Sequence, residues 1–207
     1  KRQILERISN GTLKFEPALD QFQIDQEHAV DIRLGFTFMI PKIWHMNERG
    51  REALEFTHFD KPSSQFFHVV ELEQGQYFDL LPHEHIIIAT LETIIMPKDL
   101  MAVLYPRSSV SRKGLSLDLT GIIDAGYEGK LALPIRNSTH SQVIRLYPGE
   151  RICQVVFEEL TEPVEPKRRS KYHRKDIAEG IGLEKAEEVE LIFKGDVQGL
   201  KNKFKVL

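Results

Sequence analysis

The stretch "AVDIRLGFTFMI", residues 29–40, constrains the fold more than any other part of this chain. Val30, Ile32, Leu34, Phe36, Phe38 and Ile40 recur at every second position, with mostly polar or small residues between them. That is the period of a half-buried strand, whose successive side chains point to opposite faces. Runs of similar character follow: "FFHVVEL", "YFDLL", "HIIIATLETI", "LMAVLY", "LSLDL", "KLALPI", "QVIRLY" and "RICQVVF". Turn formers separate several of them, as in "PKD", "RKG", "DAG", "RNS" and "YPGE". No long helix lies between them to carry a parallel crossover, so the pattern predicts an all-β sandwich or barrel.

The remainder is subordinate to that β unit. Ile4, Leu5 and Ile8 fall at helical spacing ahead of Gly11, which predicts a short N-terminal helix. Residues 44–65 read as an irregular insertion with a loop at "KPSSQ". After Leu160, "TEPVEPKRRSKYHRKD" carries two prolines and six basic residues and reads as a surface arm. Beyond it, Ala186, Val189 and Ile192 share one face of a helix starting near Leu183. The expected organisation is a β domain over residues 1–160 and a C-terminal arm over 161–207.

At 207 residues the chain is long enough to bury a substantial core. A formal net charge of −3 gives no reason to expect binding to a nucleic-acid polymer. One cysteine, Cys153, excludes an intrachain disulfide and suits a reducing compartment. No apolar run approaches the roughly 20 residues of a membrane span, and the start lacks the apolar core of a secretory signal. The expected location is cytoplasmic, without membrane association, and the absence of an initial methionine suggests a trimmed start.

Chemistry concentrates between Pro106 and Asn137, in "PRSSVSRKGLSLDLTGIIDAGYEGKLALPIRN". Each element has a plain structural use, since serine, aspartate and glycine dominate turns. Together they read differently. Arg107, Ser108 and Ser109 offer a guanidinium fork and two hydroxyls suited to phosphate oxygens. Asp124 follows Ile122 and Ile123 and is a carboxylate able to orient water. Tyr127 is an aromatic surface for a sugar or base. Gln154, in "PGERICQVVF", presents an amide to a phosphate.

The ordered series "PRSS", "GIIDAGYEG" and "PGERICQ" resembles the motifs of the dUTPase and dCTP deaminase superfamily. "HAVDIRLG" is similar to its first motif, and "SVSRKGL" and "SKYH" are similar to the deaminase branch. The similarity covers most of residues 29–172, with the insertion poorly matched. It implies a dUTPase-like distorted jelly roll or β-barrel, assembled as a homotrimer with interfacial sites. By the same resemblance Arg107, Ser108, Ser109, Arg112 and Gln154 bind phosphates. Asp124 meets the sugar and activates water, and Gly121, Ile123 and Tyr127 line the sugar and base. Lys171 and Tyr172 are candidates for contacts from the tail. Mg2+ is expected to ride on the triphosphate without a dedicated ligand cluster.

The two branches of that superfamily differ in one group. Deaminases of this family shuttle protons with a glutamate in a pattern like "GxIxLE"; the matching text here is "GKLALP", which puts Pro134 at that position. Proline has no ionisable group, and it also removes a backbone donor, which predicts a strand edge or bulge. The loop from Leu115 to Asp124 is one residue shorter than the usual deaminase loop. The leading expectation is therefore dUTP hydrolysis to dUMP and pyrophosphate. The alternative is dCTP deamination, alone or combined with dUTP hydrolysis, and a further alternative is a nucleotide-binding regulator of weak activity. The glycine-rich closing arm typical of trimeric dUTPases is missing; "EGIGLE" is a faint echo of it.

Other features carry less. His83 and His85 have a spacing for metal ligation but no evident third ligand. Cys153, in an apolar strand, reads as a small buried hydrophobe, and Trp44 as loop packing. Asp31 and Arg33 read either as a subunit contact or as support for the site.

Overall fold

The computed structural model describes residues 1–24, 28–54, 66–118, 121–165 and 186–205. In chain order they form α1 (Arg2–Ser9), β1 (Lys14–Glu16), β2 (Val30–Pro41), β3 (Trp44–Asn47), β4 (Gly50–Ala53), β5 (Phe67–Glu71), β6 (Phe78–Leu80) and β7 (His85–Ile95). There follow β8 (Leu100–Pro106), α2 (Ser108–Arg112), β9 (Leu115–Leu117), β10 (Ile122–Ile123), β11 (Glu128–Asn137), β12 (Ile144–Leu146), β13 (Arg151–Glu159), α3 (Ala186–Phe193) and α4 (Val197–Lys203). The fold is mainly β, as the alternation predicts. Among the described residues no helix is long and apolar enough to cross a membrane.

The main antiparallel sheet runs β10-β8-β13-β2-β7-β11-β9, with β1 added to β7 and β5 to β2. Strand β2 is its hinge. Along one edge it pairs first with β13, at Val30–Arg33, and then with β5, at Thr37–Pro41; along the other it pairs with β7. The change comes at Gly35. A Cβ there would stand 2.8 Å and 2.9 Å from the carbonyl oxygens of Thr90 and Ala89, so only glycine lets β2 cross this close to β7. The register slips between Leu34 and Phe38, which breaks the strict alternation. Phe36, expected to face the core, is exposed at 36%, while Met39 is buried. The irregularity is local: Phe38 returns to the core that holds Leu34, and Met39 packs in a separate cluster with Phe66, Phe67 and Ala89.

The core lies between the curled halves of the sheet. Phe38, Leu80, Ile86, Ile88, Ile94, Leu133 and Ile135 are fully enclosed there, and the Phe38 ring stacks on Phe78 at 4.7 Å. Helix α1 is held to this body by Arg7, whose guanidinium donates to Asp99 at 3.2 and 3.0 Å and to Glu159 at 3.0 Å. The insertion is less irregular than its sequence suggests, because β3 and β4 form a hairpin with Arg51 placed over the Trp44 ring. Its part at 55–65, including "KPSSQ", lies outside the described residues. The predicted helix near Leu183 is α3, with Val189 buried, and α4 after it was not foreseen.

Candidate functional site

Arg107, Arg151 and Gln154 gather around one buried acid. Asp31, on β2, has a fully enclosed side chain. Its Oδ2 accepts from Arg151 Nη1 at 3.1 Å and lies 3.2 Å from Arg107 Nε; its Oδ1 accepts from Gln154 Nε2 at 3.3 Å. The ladder explains why. Gln154 pairs with Asp31 on one side and with Tyr105 on the other, so β13 brings the end of β8 beside β2. Arg107 leaves β8 at that point and is fixed twice more, its N–H reaching the Ile152 carbonyl and its Nη1 the Arg151 carbonyl at 3.3 Å. Two guanidinium groups share one carboxylate, which leaves the cluster cationic and suited to an anion. Within the chain Asp31 ties together Arg107, Arg151 and Gln154.

Beyond Arg107 the "SSVSR" segment is the short helix α2, not an open turn. Ser108 and Ser109 are exposed on it, and Arg112 Nη2 donates to Ser108 Oγ at 3.3 Å. Gly114 ends it with φ +83°; a Cβ there would collide with the Thr139 methyl.

A second layer braces Asp31. Gln23 Nε2 donates to the Asp31 carbonyl at 3.0 Å and to Glu92 Oε1 at 2.6 Å, and Glu92 Oε2 accepts the Arg33 N–H at 3.0 Å. Burial pushes the Glu92 carboxyl above the usual range, against the pull of those hydrogen bonds. Arg33 itself turns outward, to the Gly149 carbonyl and to Asp20. Arg151, Gln23 and Glu92 were not singled out by sequence reasoning. The side chains of Glu92 and Arg151 meet partners 59 or more residues away, Gln23 carries no motif, and only the "PGER" context of Arg151 pointed to it.

Asp124 does not join this cluster within one chain. Ile123 pairs with Ala102, which sets Asp124 level with Met101, six residues along β8 from Arg107. At about 3.4 Å per residue the two ends are roughly 20 Å apart. The Asp124 side chain is exposed and takes no side-chain hydrogen bond among the described residues. Gly121 holds its turn by accepting the Leu104 N–H at 3.0 Å, and Ile123 is buried. Tyr127 is only 8% exposed, and its hydroxyl donates to the Lys130 carbonyl at 2.7 Å. Lys171 and Tyr172 lie outside the described residues.

Burial pushes the Tyr127 phenol up to about 12 from an ordinary 10.0. The native state therefore keeps a proton that the unfolded chain sheds near 10. Its contribution to stability is intact below about pH 10 and falls as pH rises towards 12. Melting temperature measured against pH should drop across that window, and Tyr127→Phe should remove that part of the drop.

Among the described residues no three His, Cys, Asp or Glu side chains gather as metal ligands. His85 enters β7, and burial holds its imidazole below the usual value. His83 lies in the preceding turn with its ring edge-on to His140. Cys153 is enclosed in the core.

A family model described as "dCTP deaminase-like" matches residues 1–160. The chain is 36% identical over 177 residues to "dCTP deaminase, dUMP-forming" of Dictyoglomus thermophilum, covering 83% of this chain and 87% of that one. With the protein of the same name from Persephonella marina it shares 37% over 188 residues, 89% of this chain and 97% of the other. Its fold is similar to the crystal structure of 2′-deoxycytidine 5′-triphosphate deaminase from Agrobacterium tumefaciens, with a TM-score of 0.57 at 25% identity. That match covers 75% of this chain and 46% of the longer one. These names overturn the expectation of a dUTP diphosphatase drawn from Pro134; the deaminase alternative fits better. A missing glutamate at one strand position says nothing about carboxylates that neighbouring strands bring to the same face.

Proposed function

The chain belongs to the dCTP deaminase-like family, and from that premise we propose that it converts dCTP to dUMP, releasing ammonia and pyrophosphate. The observation that carries this reading is the activity named for relatives matched over more than four fifths of the chain. The cluster on Asp31 is its triphosphate end. Arg107 and Arg151 present planar forks to phosphate oxygens, Ser108, Ser109 and Arg112 add donors from α2, and Gln154 adds its amide.

Asp124 orients the water that attacks the α-phosphorus. Holding a nucleophile in line at about 3–3.5 Å supplies much of the rate of such a step. Gly121 and Ile123 shape the sugar and base position, and Tyr127, already locked by its hydrogen bond to Lys130, serves as a fixed wall there.

The separation along β8 supports a site completed between copies of the chain, in the homotrimer that the family resemblance implies. Strand β10 is one edge of the main sheet, and Tyr105 and Ile122, on β8 and β10, are exposed at 51% and 66%. Such side chains suit an interface between subunits. We assign Mg2+ to the substrate. The cluster's outward groups are hydrogen-bond donors, which fit phosphate oxygens and not a cation, so the triphosphate itself would hold the ion.

Incubation of the purified protein with dCTP, followed by chromatography and assays for ammonia and pyrophosphate, tests the reading. One equivalent of each with dUMP is expected. dCMP without ammonia would overturn the deamination, and binding without turnover would make the chain a nucleotide-binding regulator.

A further inference from the structure

The register of β11 answers the question that Pro134 raises. On one side Pro134 pairs with Ile87 of β7. On the other, Asn137, Arg136 and Ile135 pair with Leu115, Ser116 and Leu117 of β9. The next step along both strands sets Asp118 opposite Pro134, and the Asp118 N–H donates to the Pro134 carbonyl at 3.1 Å. Proline has no N–H to return, so the ladder stops there and β9 ends at Leu117.

Opposite residues of an antiparallel pair put their side chains on one face, with Cβ atoms about 4.5–5.5 Å apart. Leu117 and Ile135 face the core. Asp118 therefore stands beside the Pro134 ring on the other face, within reach of the space that a glutamate at 134 would occupy. Its carboxylate is anchored there: Oδ2 lies 3.1 Å from Arg136 Nη2, and Oδ1 accepts the Ser116 hydroxyl at 2.7 Å. The side chain is 33% exposed. A carboxylate has about four lone-pair sites, so two donors leave room for water. On the β7 side, His85 stands across the ladder from Arg136.

We propose that Asp118 is the carboxylate that moves protons at the cytosine ring, supplied from the strand beside the one that carries it in the family pattern. The inference rests on the dCTP-to-dUMP reading. Water adds to C4 of the base and gives a proton to the Asp118 carboxylate. Asp118 passes that proton to the exocyclic amino group, the C4–N bond breaks and ammonia leaves. The remaining hydroxyl proton moves to N3 of the ring as the C4 carbonyl forms, giving dUTP and ammonia from dCTP and water with the carboxylate restored. Arg136 and Ser116 are positioning residues that fix the two carboxylate oxygens.

The test is ammonia release from dCTP by the full chain, by Asp118→Asn, and by Asp118→Asn combined with Pro134→Glu. Positioned proton transfer contributes roughly 10²–10⁴-fold. Asp118→Asn should lower kcat for ammonia release by at least about 100-fold, with little change in KM or melting temperature, and Pro134→Glu should restore much of the loss. Unchanged kcat in Asp118→Asn, while the unaltered chain deaminates dCTP, would overturn this assignment and leave the function standing. A lowered melting temperature with no rescue would make Asp118 a structural partner of Arg136, which also overturns it. No ammonia from the unaltered chain would overturn both.

Discussion

Co-expressed Arg107→Ala and Asp124→Asn subunits should recover activity that neither variant has alone. Each substitution removes a charged group from the reaction, and losses of about 10²–10³-fold in turnover are the scale for such a group. The recovery follows from the geometry of β8. Arg107 stands at one end beside Asp31 and Gln154, and Asp124 stands level with Met101 near the other. Roughly 20 Å of strand separates them, farther than one nucleotide's α-phosphate and terminal phosphates lie apart. If a site takes Arg107 from one copy and Asp124 from the next, random assembly from equal amounts leaves about one quarter of the interfaces with both groups intact. Pyrophosphate release near that fraction of the unaltered protein is the expected reading. No recovery, from mixed assemblies confirmed by mass, would mean that both groups serve the same subunit.

The register of pairing is also where sequence and structure part company. The nine runs named as strands are all present, since alternation and turn residues are local signals. What failed were features set by neighbours. Phe36 follows the alternation of β2 perfectly and still faces outward, because the close crossing at Gly35 shifts the register. The hairpin of β3 and β4 is exposed on both faces and so carries no alternation to find. At the site, "PRSS" and "GIIDAGYEG" were legible as motifs, but their separation along β8 was not.

Pro134 is the sharpest instance. Reading it alone removed the expected proton carrier and pointed to plain dUTP hydrolysis. Its cross-strand neighbour Asp118 sits 16 residues earlier in the chain and reads there as one of the two polar members of "LSLDL". Only the ladder shows the two side by side. Asp31 posed the same difficulty, for its partners Arg107, Arg151 and Gln154 all lie more than 70 residues away.

Asp31→Ala should therefore weaken both the fold and the binding of nucleotide. The carboxylate is enclosed, while its two arginines keep 21% and 30% of their side chains open to water. Removing one partner of a fully buried pair costs about 3–5 kcal/mol, and water at the arginines brings the expectation down to about 2–3 kcal/mol. A domain stable by about 5–15 kcal/mol survives that loss, so the variant can be studied folded. Without Asp31 the guanidinium groups of Arg107 and Arg151 repel each other and no longer share a fixed direction. Urea unfolding gives the first effect, and titration with a non-hydrolysable dCTP analogue gives the second. If Asp31 acts by aiming Arg107, the two substitutions will be strongly non-additive in binding. Asp31→Ala will then add little to the loss already caused by Arg107→Ala. Additive losses would instead mean that Arg107 holds its place by its bonds to the Ile152 and Arg151 carbonyls, with Asp31 serving stability alone.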